Sequence, residues 1–213
     1  YFQLDQPASA ESFYQQLRHD LPEQHERLAL LYSQSLLEAG EDELAIAVLG
    51  RALQEAPNSG SLLYARSMLH ERLGRIDLAE ADLRNILEYD PNNAPALNAL
   101  GYILADQTER YAEAYDYIKR ALEQQPNDPA TIDSMGWVQY KLGNLEQAQQ
   151  YLEQAMELYP DDEIAAHLGE VLWVSGQREA ALNIWRSGLE LEPQSRYILR
   201  TLQRLKIDAD TPI

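Results

Sequence analysis

The side chains of this 213-residue chain with chemical or anchoring potential are four histidines, 35 carboxylates, three tryptophans and thirteen tyrosines. Nucleophilic catalysis needs a base held beside a hydroxyl or thiol, and the chain has no cysteine, no G-x-S-x-G elbow, no phosphate-binding loop and no dinucleotide turn. His19, His25, His70 and His167 do not fall at a metal-ligating spacing such as H-E-x-x-H. HERLA at His25 and HERLG at His70 read alike, but they stand at different phases of the chain's period and so point in different directions. Most carboxylates fall on helical patterns as solvated outer faces, several at helix N-termini where the dipole favours them. These residues predict no catalytic centre, no metal and no cofactor. What they leave is surface: aromatic side chains beside hydrogen-bonding groups, the types that anchor protein interfaces.

Charge narrows the partners. With 35 acidic against 17 basic residues the formal charge is -18, which repels nucleic-acid phosphates and anionic lipid head groups, since both are bound by Lys and Arg. A basic partner or simple solubility would each suit this charge. The lack of cysteine removes disulfides and thiolate chemistry without fixing a compartment. No apolar run reaches the roughly 18 residues of a membrane span. Tyr1-Phe2-Gln3 resembles the tail of an engineered protease-cleavage site and is expected to lie outside the fold.

The elements that would position the aromatic groups follow from a period. Pro22, Pro57, Pro91, Pro126, Pro160 and Pro193 fall at intervals of 35, 34, 35, 34 and 33, each after an Ala- or Leu-rich helical turn that a proline would stop. Counting the proline as residue 32 of a repeat, residue 20 reads Ala45, Ala79, Ala114, Ala148 and Ala181, and residue 8 reads Ser33, Ser67, Gly101, Gly136 and Gly169. Residue 27 is Ala52, Ile86, Ala121, Ala155 and Gly188. Such small residues predict close helix crossings, filled from residue 24 by Leu49, Leu83, Ile118, Leu152 and Trp185. Helix pairs are predicted over 24–38 with 42–55, 60–73 with 76–88, 94–106 with 110–124, 129–141 with 145–158, and 163–175 with 178–191, in repeats of 26–59, 60–93, 94–128, 129–161 and 162–193. Gly40, Gly74, Gly143 and Gly176 suit left-handed helix ends. The third pair has no such glycine and one extra residue, which predicts a wider turn over Asp106–Arg110. Ser9–Asp20 reads as the second helix of a half repeat (9–22), as in a piece of a longer array, 194–206 as a covering helix, and 207–213 as a loose tail.

This pattern resembles the tetratricopeptide repeat over nearly the whole chain. The resemblance implies an all-α, right-handed superhelical α-solenoid over 4–206, with the first helix of each pair lining a concave groove. The groove residues it implies are Arg27, Leu30 and Gln34; Tyr64, Met68 and Arg72; Asn98, Tyr102 and Asp106; Asp133, Trp137, Tyr140 and Lys141; and Glu170 with Trp173. The alternative for Tyr102, Trp137 and Trp173 is packing between adjacent helices. Chaperone-binding members clamp a terminal carboxylate with Lys, Arg and Asn; only Asn98 and Lys141 match that set, beside Asp106, Asp133 and Glu170, which argues against such a clamp.

A narrower resemblance rests on LNALGY with LAD at Leu97–Asp106, D-S-x-G-W at Asp133–Trp137, and HLGEVLW at His167–Trp173 followed by Trp185. These blocks resemble a branch of bacterial repeat proteins that includes outer-membrane lipoproteins. One member is an adaptor that binds a periplasmic carboxyl-terminal processing protease and brings it cell-wall hydrolases. That resemblance implies a non-enzymatic scaffold with protein partners, held at the periplasmic face of the outer membrane by an upstream lipid anchor. The alternatives are a cytoplasmic location, and a structural subunit of an envelope or polysaccharide-export complex.

Overall fold

The computed structural model describes residues 7–207, and the regular structure in that range is helical throughout. The opening segment α1 runs Pro7–Asp20 and is followed by a 3₁₀ turn at Pro22–Gln24. Five pairs follow: α2 (His25–Glu38) with α3 (Asp42–Glu55), α4 (Gly60–Arg72) with α5 (Ile76–Tyr89), α6 (Ala94–Gln107) with α7 (Tyr111–Gln124), α8 (Pro129–Lys141) with α9 (Leu145–Leu158), and α10 (Asp162–Val174) with α11 (Arg178–Leu191). The last helix, α12, spans Arg196–Leu205. The ten paired helices therefore lie within one residue of the spans the periodicity predicts. Residues 1–6 and 208–213, which include the segment expected to be a cleavage-site remnant and most of the expected tail, lie outside the described residues. By compactness the chain divides at Ala96 and Leu97 into two units.

The boundaries follow from local chemistry. Residues ahead of the periodic prolines leave helical geometry, as at Ala56 (φ -131°), Asp90 (φ -129°), Gln125 (φ -132°) and Tyr159 (φ -151°), where the proline ring disfavours helical backbone. The turns at these prolines start the next helices through side-chain caps: Ser59, Asn93, Asp128, Asp161 and Ser195 accept from the amides of Leu62, Ala96, Thr131, Glu163 and Ile198. Within four pairs the turn glycine takes positive φ, from 70° to 84°, and the next residue closes the helix end. Asn144, for example, donates its amide to the Gln139 carbonyl at 2.9 Å, the six-to-one bond of a Schellman motif.

The third pair departs from expectation. Its connection is three residues, Thr108–Arg110, as in the other pairs, and the extra residue lengthens α6 rather than widening the turn. Thr108 takes the glycine's place: its hydroxyl donates to the Leu104 carbonyl at 2.5 Å and accepts from the Arg110 amide at 3.1 Å. A side chain thus satisfies the helix end that a left-handed backbone satisfies elsewhere.

In the first unit, α1 packs on α2 through buried Tyr14 and Tyr32, whose rings stack 4.6 Å apart. The core continues through Leu36, Leu49, Leu62, Leu63 and Leu83. In the second unit the small residues sit where bulk approaches: a Cβ on Gly101 would lie 2.5 Å from Ile118, on Gly136 2.6 Å from Leu152, and on Gly169 2.1 Å from the Trp185 indole nitrogen. These are the residue 8 and residue 24 pairs of the sequence register. Trp185 is fully buried and joins Leu152, Leu168, Leu172, Ile198 and Leu202 in one apolar cluster. Through Ile198, α12 reaches Gly188 of α11 and closes that core.

Candidate functional site

The predicted contact residues of the first unit are largely accessible. Arg27 and Gln34 on α2 and Arg72 on α4 are exposed, while Leu30, Tyr64 and Met68 are half-buried. Behind them, Arg66 grips the buried Asp82 of α5 through two hydrogen bonds of 2.8 and 2.6 Å. The two HERL segments differ as their phases predict. His25 bridges Glu55, at 3.1 Å, and the Arg18 carbonyl, at 2.8 Å. His70 is buried, its Nδ1 has no hydrogen-bond partner, and burial lowers its pKa, so it is neutral.

In the second unit the same positions make a closed polar assembly. His167 of α10, which is 5% exposed, places Nδ1 3.0 Å from both carboxylate oxygens of Asp133 on α8. Its ring stacks on Trp137 with centroids 4.1 Å apart and planes 20° from parallel, and Tyr102 of α6 stands 6.0 Å away. Burial by itself would depress the His167 pKa, but the charge and hydrogen bond of Asp133, with Glu163 and Asp106 beyond, push it up to about 9. The group is therefore an imidazolium held between a carboxylate and an indole face. Trp137 donates from Nε1 to Asp106 at 3.1 Å.

Two longer links close this face. The Tyr102 hydroxyl passes over α8 to donate to Glu163 of α10 at 2.7 Å. Burial raises the pKa of Glu163, and burial followed by the Glu163 charge raises that of Tyr102 far above its ordinary value. Tyr140 donates to Glu170 at 3.0 Å, and Arg204 of α12 pairs with the same carboxylate from the other side. Burial, then Glu170, pushes the Tyr140 hydroxyl up to about 12.

Three expected groove residues are thereby corrected. Asp133, Trp137 and Glu170 are 5%, 4% and 0% exposed, because side chains from α6, α10 and α12 converge on them. For Trp137 the packing alternative is the observed one. Trp173 is half-buried, 5.7 Å from Trp185, and Asn98, Tyr102, Tyr140 and Lys141 keep part of their surface. Sequence reasoning passed over His167, Glu163 and Arg204. A signal for Arg204 existed: Trp137, Glu170 and Arg204 all stand at residue 9 of their repeats once the register is carried past Pro193 into α12. Among the described residues no cluster of His, Asp and Glu has a metal-binding arrangement, and no helix is long and apolar enough to cross a membrane.

Models of the tetratricopeptide repeat match residues 27–59, 64–129, 107–167 and 139–205. The TPR repeat-containing protein PA4667 of Pseudomonas aeruginosa is 44% identical over 153 residues, which are 72% of this chain and 26% of that protein. The type IV pilus assembly protein PilF of the same organism is 27% identical over 140 residues, 64% of this chain and 55% of PilF. The chain thus spans less than two thirds of either relative. The crystal structure of TTC0263, a thermophilic TPR protein of Thermus thermophilus, superposes with a TM-score of 0.73 at 24% identity, covering 85% of this chain and 100% of that one.

Proposed function

Since the chain belongs to the tetratricopeptide-repeat family, whose members mediate protein–protein interaction, we propose that it is the binding region of a non-enzymatic adaptor in the bacterial envelope. In this reading it binds a periplasmic carboxyl-terminal processing protease and helps deliver cell-wall hydrolases to it, at the periplasmic face of the outer membrane. The reading rests on the resemblance of three sequence blocks to the adaptor branch, and the 44% identity with PA4667, a TPR repeat-containing protein of a bacterium, supports it. The fold is shared at 24% identity by TTC0263, so 44% over 153 residues means that many positions beyond those the repeat requires also agree. The quoted blocks at Leu97–Asp106, Asp133–Trp137 and His167–Trp173 carry the link to the adaptor branch.

The mechanism is effective concentration. One surface holds the protease and another its substrate, and the second encounter becomes intramolecular. The contact residues in this reading are the accessible members of the predicted set: Tyr64, Met68 and Arg72 in the first unit, and Asn98, Tyr102, Tyr140, Lys141 and Trp173 in the second. Asp133, Trp137 and Glu170 hold their neighbours in place. A structural role in an envelope assembly is the second reading, favoured by the likeness to PilF.

The test is reconstitution. Purified chain is titrated into a carboxyl-terminal processing protease and a cell-wall hydrolase, with binding and hydrolase cleavage followed together. The adaptor reading expects binding of both proteins and faster cleavage, reduced by Tyr64→Ala with Met68→Ala. Cleavage unchanged by saturating chain, with neither protein bound, would overturn it.

A further inference from the structure

Two cations at one edge of the second unit rest on indole rings rather than on carboxylates. Carboxylates outnumber cations by 35 to 17, and Arg66, Arg75, Arg110 and Arg204 each take one. Lys141 and Arg178 do not. The Lys141 ammonium lies 4.7 Å from the centroid of Trp137, the Arg178 guanidinium 5.2 Å from that of Trp173, and neither is paired with a carboxylate among the described residues. An indole face orients a cation without neutralising it, so both charges remain available to a ligand.

The helices bring these groups to one end. Asp133 meets His167, and further along Tyr140 meets Glu170, so α8 and α10 run parallel and their closing turns lie on the same side. Lys141 and Leu142 end α8; Trp173 and Val174 end α10, with Arg178 opening α11. Leu142 and Val174 are 40% and 47% exposed, so each of these two helix ends carries an uncovered aliphatic side chain. Glu146 and Glu179, the acidic residues nearest in sequence to the two cations, lie in the first turns of α9 and α11, where the helix dipole favours their charge.

We propose that this edge, formed by Lys141, Leu142, Trp173, Val174 and Arg178, docks a partner segment in which carboxylate side chains flank apolar ones. The carboxylates meet the two indole-mounted cations, and the apolar side chains cover Leu142 and Val174. The assignment deepens the protein-binding reading by giving one partner its chemistry, and it differs from a terminal-carboxylate clamp because the cations stand at the turn edge.

Fluorescence polarisation tests it with no envelope protein present, so its outcome is separate from that of the reconstitution. The probe is a fluorescein-labelled peptide in which Glu and Asp flank Leu and Phe; the control peptide has Lys at the acidic positions. The acidic probe is expected to bind and the basic one not, with affinity falling between about 0.05 M and about 0.5 M salt as exposed charges are screened. Lys141→Glu with Arg178→Glu should weaken the acidic probe by about tenfold or more. Lys119→Glu with Arg186→Glu, the same charge change on α7 and α11, should weaken it less than about twofold. Circular dichroism establishes that each variant is folded. Failure of the acidic probe to bind, equal binding of the two peptides, or equal loss in the two double variants would each overturn the proposal.

Discussion

The two units build the same helix pair and use its inner positions differently. In the first, residue 8 is serine, and Ser33 and Ser67 turn their hydroxyls back to the carbonyls of Leu30 and Tyr64, at 2.8 and 2.7 Å. Several of its ion pairs, such as Arg75 with Glu43 and Arg18 with Glu55, lie at the surface. In the second, residue 8 is glycine, the partner helix comes closer, and the inner positions carry an imidazolium, carboxylates and tyrosines bonded to one another. Residue 8 sets how near the helices come. What the first helices carry decides whether their inner face stays open or is filled from within.

The largest expected effect breaks the closer crossing. Gly169→Ala puts a Cβ where the Trp185 indole packs, and displacing a fully buried tryptophan is expected to cost about 3 kcal/mol or more. The same residue 8 exchange in the first unit, Ser67→Ala, should cost about 1 kcal/mol or less, since it removes a hydroxyl already bonded within its own helix. Urea unfolding measures both. Adding Trp185→Phe to Gly169→Ala should recover part of the loss, and a double-mutant cycle without coupling would refute the contact.

The next comparison sets buried against exposed charge. Asp133→Asn strips the carboxylate from an enclosed imidazolium and should cost about 3 kcal/mol. Glu43→Gln removes the partner of exposed Arg75 and should leave the unfolding midpoint unchanged. Equal losses would mean that the inner assembly contributes no more than a surface pair.

The imidazolium also gives the second unit a pH signature. The folded pKa of His167, about 9, exceeds its ordinary 6.5, so between these values the folded chain holds a proton that the unfolded chain releases. Its contribution is fully present below pH 6.5 and is lost as pH rises through about 9, and it is on the order of 3 kcal/mol. Stability should fall across that window in the parent chain and stay flatter in His167→Gln. Because an imidazolium stacked on an indole quenches its emission, Trp137 fluorescence should rise over the same range. A rise at pH 6.5 instead would show that Asp133 does not stabilise the charged ring of His167.

Most of the scaffold is legible in the sequence because its determinants are local. The prolines stop second helices, the turn glycines supply positive φ, and residues 8 and 24 meet within one helix pair. The inner face is less legible because its bonds span repeats. Tyr102 and Glu163 are 61 residues apart, and Arg204 reaches Glu170 from a helix that follows the last complete repeat. A rule that assigns outward-pointing positions repeat by repeat has no means of seeing α6 and α12 converge on Asp133, Trp137 and Glu170. Charge pattern gives a partial clue, since Asp106, Asp133, Glu163 and Glu170 fall at residues 13, 5, 2 and 9 of their repeats, positions that share one helix face.

The smallest effect concerns the turn that the period misjudged. Glycine and threonine close the same connection by different means, left-handed backbone at Gly143 and a hydroxyl bonded to Leu104 at Thr108. Gly143→Ala strains the backbone and should cost about 1 kcal/mol. Thr108→Ala leaves the end of α6 without that bond and should also cost about 1 kcal/mol. Thr108→Gly separates the mechanisms. If the third turn needs only a flexible residue it should match threonine, whereas if the hydroxyl is what ends α6 it should be no better than alanine, and hydrogen exchange at the Arg110 amide should quicken in both variants.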